Sequence, residues 1–101
     1  MSRYLLFSLL VFTGLFSSVA YADNKKGEEA YENGNYEVAL VEFTKAAEAG
    51  DADAQYNLGV MYEHGHGVEQ DEVQAAEWYI MAADNGHPEA SLALSLLYED
   101  F

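Results

Sequence analysis

The sequence predicts an all-α protein: a short right-handed α-solenoid of antiparallel helix pairs, about five helices, following a signal peptide. Three observations carry that prediction. The first is a repeat. Gly50-Asp-Ala-Asp-Ala54 returns 36 residues later as Gly86-His-Pro-Glu-Ala90, and the matches persist at that offset. Leu58 falls on Leu94, Met61 on Leu97, Tyr62 on Tyr98 and Glu63 on Glu99, while Ala46–Gly50 falls on Ala82–Gly86. A fixed period of this length marks stacked supersecondary units. The second is apolar residues recurring at three- and four-residue steps, the spacing of one helical face. The third is the absence of proline from Asp23 to His87, which leaves long helices unbroken.

The leader comes first. Met1–Arg3 is short and singly basic, Tyr4–Phe16 is an apolar run, and Ala20-Tyr21-Ala22 is a small-x-small triplet. That is the layout of a secretory signal peptide. The apolar run is shorter than the roughly 20 residues a bilayer span needs. Cleavage is expected after Ala22, giving domains 1–22 (signal peptide) and 23–101 (helical repeats). The expected location is the bacterial periplasm or outside the cell, with no stable membrane anchor.

The helices follow in order. Asn24–Asn33 and Tyr36–Ala49 form a first hairpin around Gly34-Asn35. Asp53–His64 has Ala54, Leu58, Met61 and Tyr62 on one face, and Gly59 among them marks close approach of a neighbouring helix. Asp71–Asn85 has a face of Val73, Ala76, Tyr79, Ile80 and Ala83, widened by Ala75, Trp78 and Ala82. Gly86 stops it. Pro88 suits a first helical position, so a last helix spans Glu89–Glu99. The units are 24–50, 51–86 and a partial 87–101. Leu92, Leu94, Leu96, Leu97, Tyr98 and Phe101 make the last helix apolar nearly all round, which is normal for a buried helix. It is expected to cap the solenoid over Trp78 and Tyr79, to self-associate through the 89–101 helix, or to be covered by further repeats.

The chain carries 18 acidic side chains against four Lys and Arg, for a formal charge of −14. Such a surface repels nucleic acid and anionic lipid and attracts basic peptides and cations. With no cysteine there are no disulfides, so packing alone must hold the domain.

"HGHGVEQD", His64 to Asp71, joins the two central helices. Gly65 and Gly67 supply positive φ for the turn. Val68 tucks back on the hairpin and Asp71 caps the next helix. His64 and His66 are candidate metal ligands, since imidazoles bind zinc or copper, with Glu63 or Glu69 beside them. A structural zinc site needs four ligands, and only two imidazoles are in reach. The leading expectation is a plain loop, with weak zinc or copper binding through His64/His66 as the alternative. His87 occupies the register position of Asp51 and reads as a helix-start residue. Ser91 and Ser95 have no histidine and carboxylate partner pattern, and no phosphate loop or nucleophile elbow is present. The expectation is therefore no enzyme and no cofactor.

"AQYNLGVMYEHGHGVEQDEVQAAEWYIMAADNGHPEA" resembles a SEL-one-like repeat, a branch of the tetratricopeptide superfamily. The resemblance rests on Leu58, Gly59, Met61, Tyr62, Gly65, Gly67, Val68, Asp71, Ala76, Trp78, Ala82, Ala83 and Gly86. The preceding unit is closer to an ordinary tetratricopeptide unit with a shorter interhelix loop. The resemblance implies a solenoid whose first helices line a concave face that binds a protein or peptide partner. On that face the register leaves Tyr56, Asn57, Val60 and Glu63 or His64, followed by Leu92, Leu96 and Glu99. Tyr56, Val60 and His64 form one row. An aromatic, aliphatic and acidic groove suits a partner with apolar anchors and basic flanks.

Overall fold

The computed structural model describes residues 18–99 as five helices. These are α1 (18–32), α2 (Tyr36–Glu48), α3 (Ala52–His64), α4 (Glu72–Asp84) and α5 (Ala90–Glu99). Each packs on the next: α2 on α3, α3 on α4 most extensively, and α4 on α5. The protein is an all-α solenoid of two helix hairpins followed by a fifth helix. Most of the expected leader, residues 1–17, lies outside the described residues, as does Phe101. Among the described residues no helix is long and apolar enough to cross a membrane.

The boundaries follow from local chemistry. Asp51 opens α3 by accepting from the Ala54 amide at 3.0 Å, and Asp71 opens α4 by accepting from the Gln74 amide at 3.0 Å. Each carboxylate satisfies an amide that has no partner within its own helix. Gly65, with φ 70°, ends α3 in the left-handed conformation. The Asp71 amide then donates to the Tyr62 carbonyl at 2.9 Å, and the Gln70 side chain donates to the Glu63 carbonyl at 2.7 Å. The loop is thereby stitched to the helix it leaves.

Small residues bring the helices together. The buried set includes Ala39, Ala46, Ala47, Ala54, Ala75, Ala82 and Ala90, with Phe43, Leu58, Met61, Tyr79 and Leu97 as the large members. Gly27 and Gly59 play matching parts. A Cβ on Gly27 would overlap the Phe43 ring, and one on Gly59 would overlap the Tyr79 ring. Each hairpin therefore seats an aromatic ring of its second helix on a bare glycine of its first.

Three expectations are corrected. First, α1 starts by residue 18, not at Asn24, and Ala20 is buried in the first core cluster. Second, Val73 and Ile80 of α4 do not face inward: they are 65% and 42% exposed, and the buried face is Ala75, Ala76, Tyr79 and Ala82. The helix is rotated so that its alanines, which allow close approach, meet α3 and α5. Third, α5 does not close over Trp78. It packs through Leu97, Ala93 and Leu94 on the cluster of Ala75, Ala76 and Tyr79. Trp78 turns to the other cluster, formed by Phe43, Ala47, Leu58 and Met61.

Two buried polar side chains tie the units together. Gln55 donates to the Ala47 carbonyl at 3.1 Å and accepts from the Asn85 amide at 2.9 Å, bridging the ends of α2 and α4. Asn24 of α1 accepts from Asn57 of α3 at 3.1 Å. Lone polar residues in amphipathic patterns read as surface, which hides both from sequence inspection.

Candidate peptide groove

The first helix of each pair, α1, α3 and α5, lines one face. Two half-open cavities lie along it. The first, of about 370 Å³, is bounded by Glu28, Tyr31 and Glu32 of α1, Phe43 of α2, and Asn57 and Val60 of α3. The second, of about 390 Å³, is bounded by Tyr56, Val60, Glu63 and His64 of α3, Tyr79 of α4, and Glu89, Leu92, Ala93 and Leu96 around α5. Val60 lines both, so the two are neighbours along one groove-bearing face.

Of the residues that the register places on the concave face, all border these two cavities except Glu99. Tyr56, Val60, Glu63, Leu92 and Leu96 are in the second cavity and Asn57 in the first. Their states differ. The Tyr56 ring stacks on His87, with centroids 4.2 Å apart and planes 8° apart. Asn57 is bonded to Asn24. A Glu63 oxygen accepts from the Tyr79 hydroxyl at 2.7 Å. Leu92 and Leu96 are 63% and 53% exposed. Glu28, Glu32, Tyr31 and Phe43 were not assigned from sequence, because the 36-residue register does not carry across the shorter first loop.

Burial lifts the Tyr79 phenol well above the usual tyrosine range, and the Glu63 hydrogen bond and charge push the same way. The phenol therefore stays the donor in this hydrogen bond. Burial also raises Tyr56, with help from the Glu89 and Glu63 charges.

His66 and His87 have packing roles, while the His64 side chain is half exposed. His66 Nδ1 lies 2.8 Å from the Tyr31 hydroxyl, and its ring stacks on Tyr36 with centroids 4.6 Å apart and planes 4° apart. The loop of the second hairpin is thus docked onto α1 and α2. The His64 and His66 rings are 5.7 Å apart. Among the described residues no three His, Cys, Asp or Glu side chains come together as a metal-binding group. His87 Nδ1 accepts from the Glu89 amide at 3.2 Å just before α5, and its Nε2 lies 3.4 Å from Asp53. That is a helix-start role. The Ser95 hydroxyl donates to the Ser91 carbonyl one turn back at 3.1 Å.

A profile of the Sel1 repeat family matches residues 20–51 and 52–87. Among curated proteins, the chain is similar to DAP3-binding cell death enhancer 1 of Rattus norvegicus. The two are 46% identical over 54 residues, which is 54% of this chain and 11% of the relative. Chitin synthase regulatory factor 3 of Schizosaccharomyces pombe is 46% identical over 68 residues, 67% of this chain and 7% of the relative. Exopolysaccharide production negative regulator of Rhizobium leguminosarum bv. viciae is 39% identical over 62 residues, 61% of this chain and 23% of the relative. The chain thus spans less than a quarter of each.

Proposed function

This chain belongs to the Sel1 repeat family, and we propose that it is an exported, non-catalytic adaptor that binds a protein or peptide in the groove of α1, α3 and α5. The observation that carries the reading is the exposure of Leu92 and Leu96 on the wall of an open groove. Exposed apolar surface inside a concavity gains free energy when a partner covers it. The names of the relatives support a regulatory, partner-binding role: two are called regulators and one is named for binding a protein. Export rests on the leader pattern at the start of the chain.

The test uses Leu92→Asp with Leu96→Asp. Both side chains are exposed, so the variant should stay folded, whereas replacing Tyr56 would also break its stack on His87. The pull-down uses crosslinked material from the native compartment. A partner captured by the parent and lost by the folded variant supports the groove. Equal capture by both overturns it.

A further inference from the structure

The groove differs from end to end, and we propose that it selects a peptide segment carrying two side chains of opposite character. A lysine or arginine enters the α1 end between Glu32 and the Tyr31 ring, and a large apolar side chain enters the α5 end against Leu92 and Leu96. The inference rests on the groove reading and adds the chemical class of the ligand.

Charge is the first argument. No lysine or arginine lines either cavity, while Glu28, Glu32, Glu63 and Glu89 all do. Glu63 is engaged by Tyr79. Glu28 is met by Lys25 at 3.1 Å, and among the described residues no cation pairs with Glu32. Glu28 also accepts from the Asn24 amide at 3.1 Å, so both its oxygens are engaged and Glu32, one turn further along α1, is the carboxylate left for a ligand cation. A cation at Glu32 supplies the partner that this residue lacks.

The aromatic floor is the second argument. The Tyr31 hydroxyl is taken by His66, and the Tyr31 ring, backed by the buried Phe43, lines the first cavity. An aromatic face flanked by carboxylates suits an ammonium or guanidinium group. The other end has Tyr56, Val60, Ala93 and the two exposed leucines, which suit an aliphatic or aromatic anchor. Because Val60 bounds both cavities, one segment can reach both with its two side chains a few residues apart. The chain's net charge of −14 steers cationic segments toward it at low salt and repels acidic ones.

A random-peptide library is selected on the immobilised full chain, with Leu92→Asp/Leu96→Asp as counter-selection. Selected peptides are expected to carry Lys or Arg within a few residues of Leu, Met or Phe. One is synthesised and titrated by fluorescence anisotropy against the parent and against Glu32→Gln. Changing its basic residue to Gln should weaken binding to the parent about tenfold, and should matter much less against Glu32→Gln. Selected peptides without a basic bias, or a Gln exchange that costs nothing, overturn the inference. The groove reading then survives if the leucine variant still loses those peptides. If no peptide is selected, or if the leucine variant retains them, both readings fall. Sedimentation of the protein alone completes the test. A dimer dissolved by Leu92→Asp/Leu96→Asp assigns the apolar end to a second copy and overturns the inference, while a monomer accords with it.

Discussion

Replacing Gly59 by alanine sets two effects of known sign against each other. In a helix interior alanine is favoured over glycine by roughly 1 kcal/mol. At Gly59 the new methyl group would collide with the Tyr79 ring, overlapping two of its carbons and lying 3.1 Å from a third. The ring has little room to yield. Tyr79 is 1% exposed, and its hydroxyl is tied to Glu63 at 2.7 Å. Overpacking a fixed core costs about 1–3 kcal/mol, and dislodging the Tyr79–Glu63 hydrogen bond adds about 1 kcal/mol. The collision wins, with a net loss near 2 kcal/mol. In a domain this small that lowers Tm by roughly 8 °C or more. Thermal melts followed by far-UV circular dichroism measure it. With Tyr79→Leu as background the obstacle is gone, and Gly59→Ala should then stabilise. A Tm that holds or rises in the single variant would refute the close-approach argument for this glycine. Gly27→Ala, which strikes the Phe43 ring, should behave alike.

Stability should also fall at alkaline pH. Burial raises the Tyr79, Tyr31 and Tyr56 phenols above their ordinary value. The unfolded phenols ionise near pH 10, so the contribution of these groups is complete below about pH 10 and is lost as pH rises beyond it. Part of the phenolate absorbance should therefore appear only as helicity melts, and full ionisation of the folded protein would contradict this. His66→Ala removes the Tyr31 hydrogen bond and the Tyr36 stack, and should cost about 1–2 kcal/mol. His66→Phe should restore the part due to stacking. Micromolar zinc should leave the parent's Tm unchanged, and a zinc-dependent rise abolished by His66→Ala would favour the metal reading of the loop. Gln55→Ala removes two hydrogen bonds, to the Ala47 carbonyl and from the Asn85 amide, while the carbonyl keeps the Gly50 amide at 3.0 Å, and should lower stability by about 1–2 kcal/mol in urea unfolding. A loss below a few tenths of a kcal/mol would mean that water replaces the amide there.

Much of this architecture is legible in the residues. Asp51, Asp71, Gly65 and Gly86 punctuate the helices, and α2, α3, α4 and α5 begin and end within a residue or two of the expected positions. The misread faces share a cause. Alanine is both a good helix former and a core residue in this fold, so a pattern weighted by bulk turns α4 toward Val73 and Ile80 and away from Ala75 and Ala82. The start of α1 was hidden because the apolar residues up to Ala22 also satisfy a leader pattern. Gly27 escaped because it precedes Gly59 by 32 residues, whereas Phe43 precedes Tyr79 by 36. One period cannot align both helices of the first hairpin when its loop is shorter. The groove positions on α3 and α5 come from the repeat register joined to the family resemblance, but their separate engagements, such as Tyr56 on His87, need the third dimension.

The docking of His66 between Tyr31 and Tyr36 has a consequence for how such units can be rearranged. The 52–87 module reaches into its upstream neighbour, and a methyl on Gly67 would press on Tyr36 at 3.0 Å. The joint is a plug and socket with a fixed polarity. A module bearing the plug fits only behind one that offers the aromatic socket. Swapping the two modules would leave the plug without a receptor. In a chimaeric array, grafting Tyr31 and Tyr36 would be the condition for placing this module behind a foreign one.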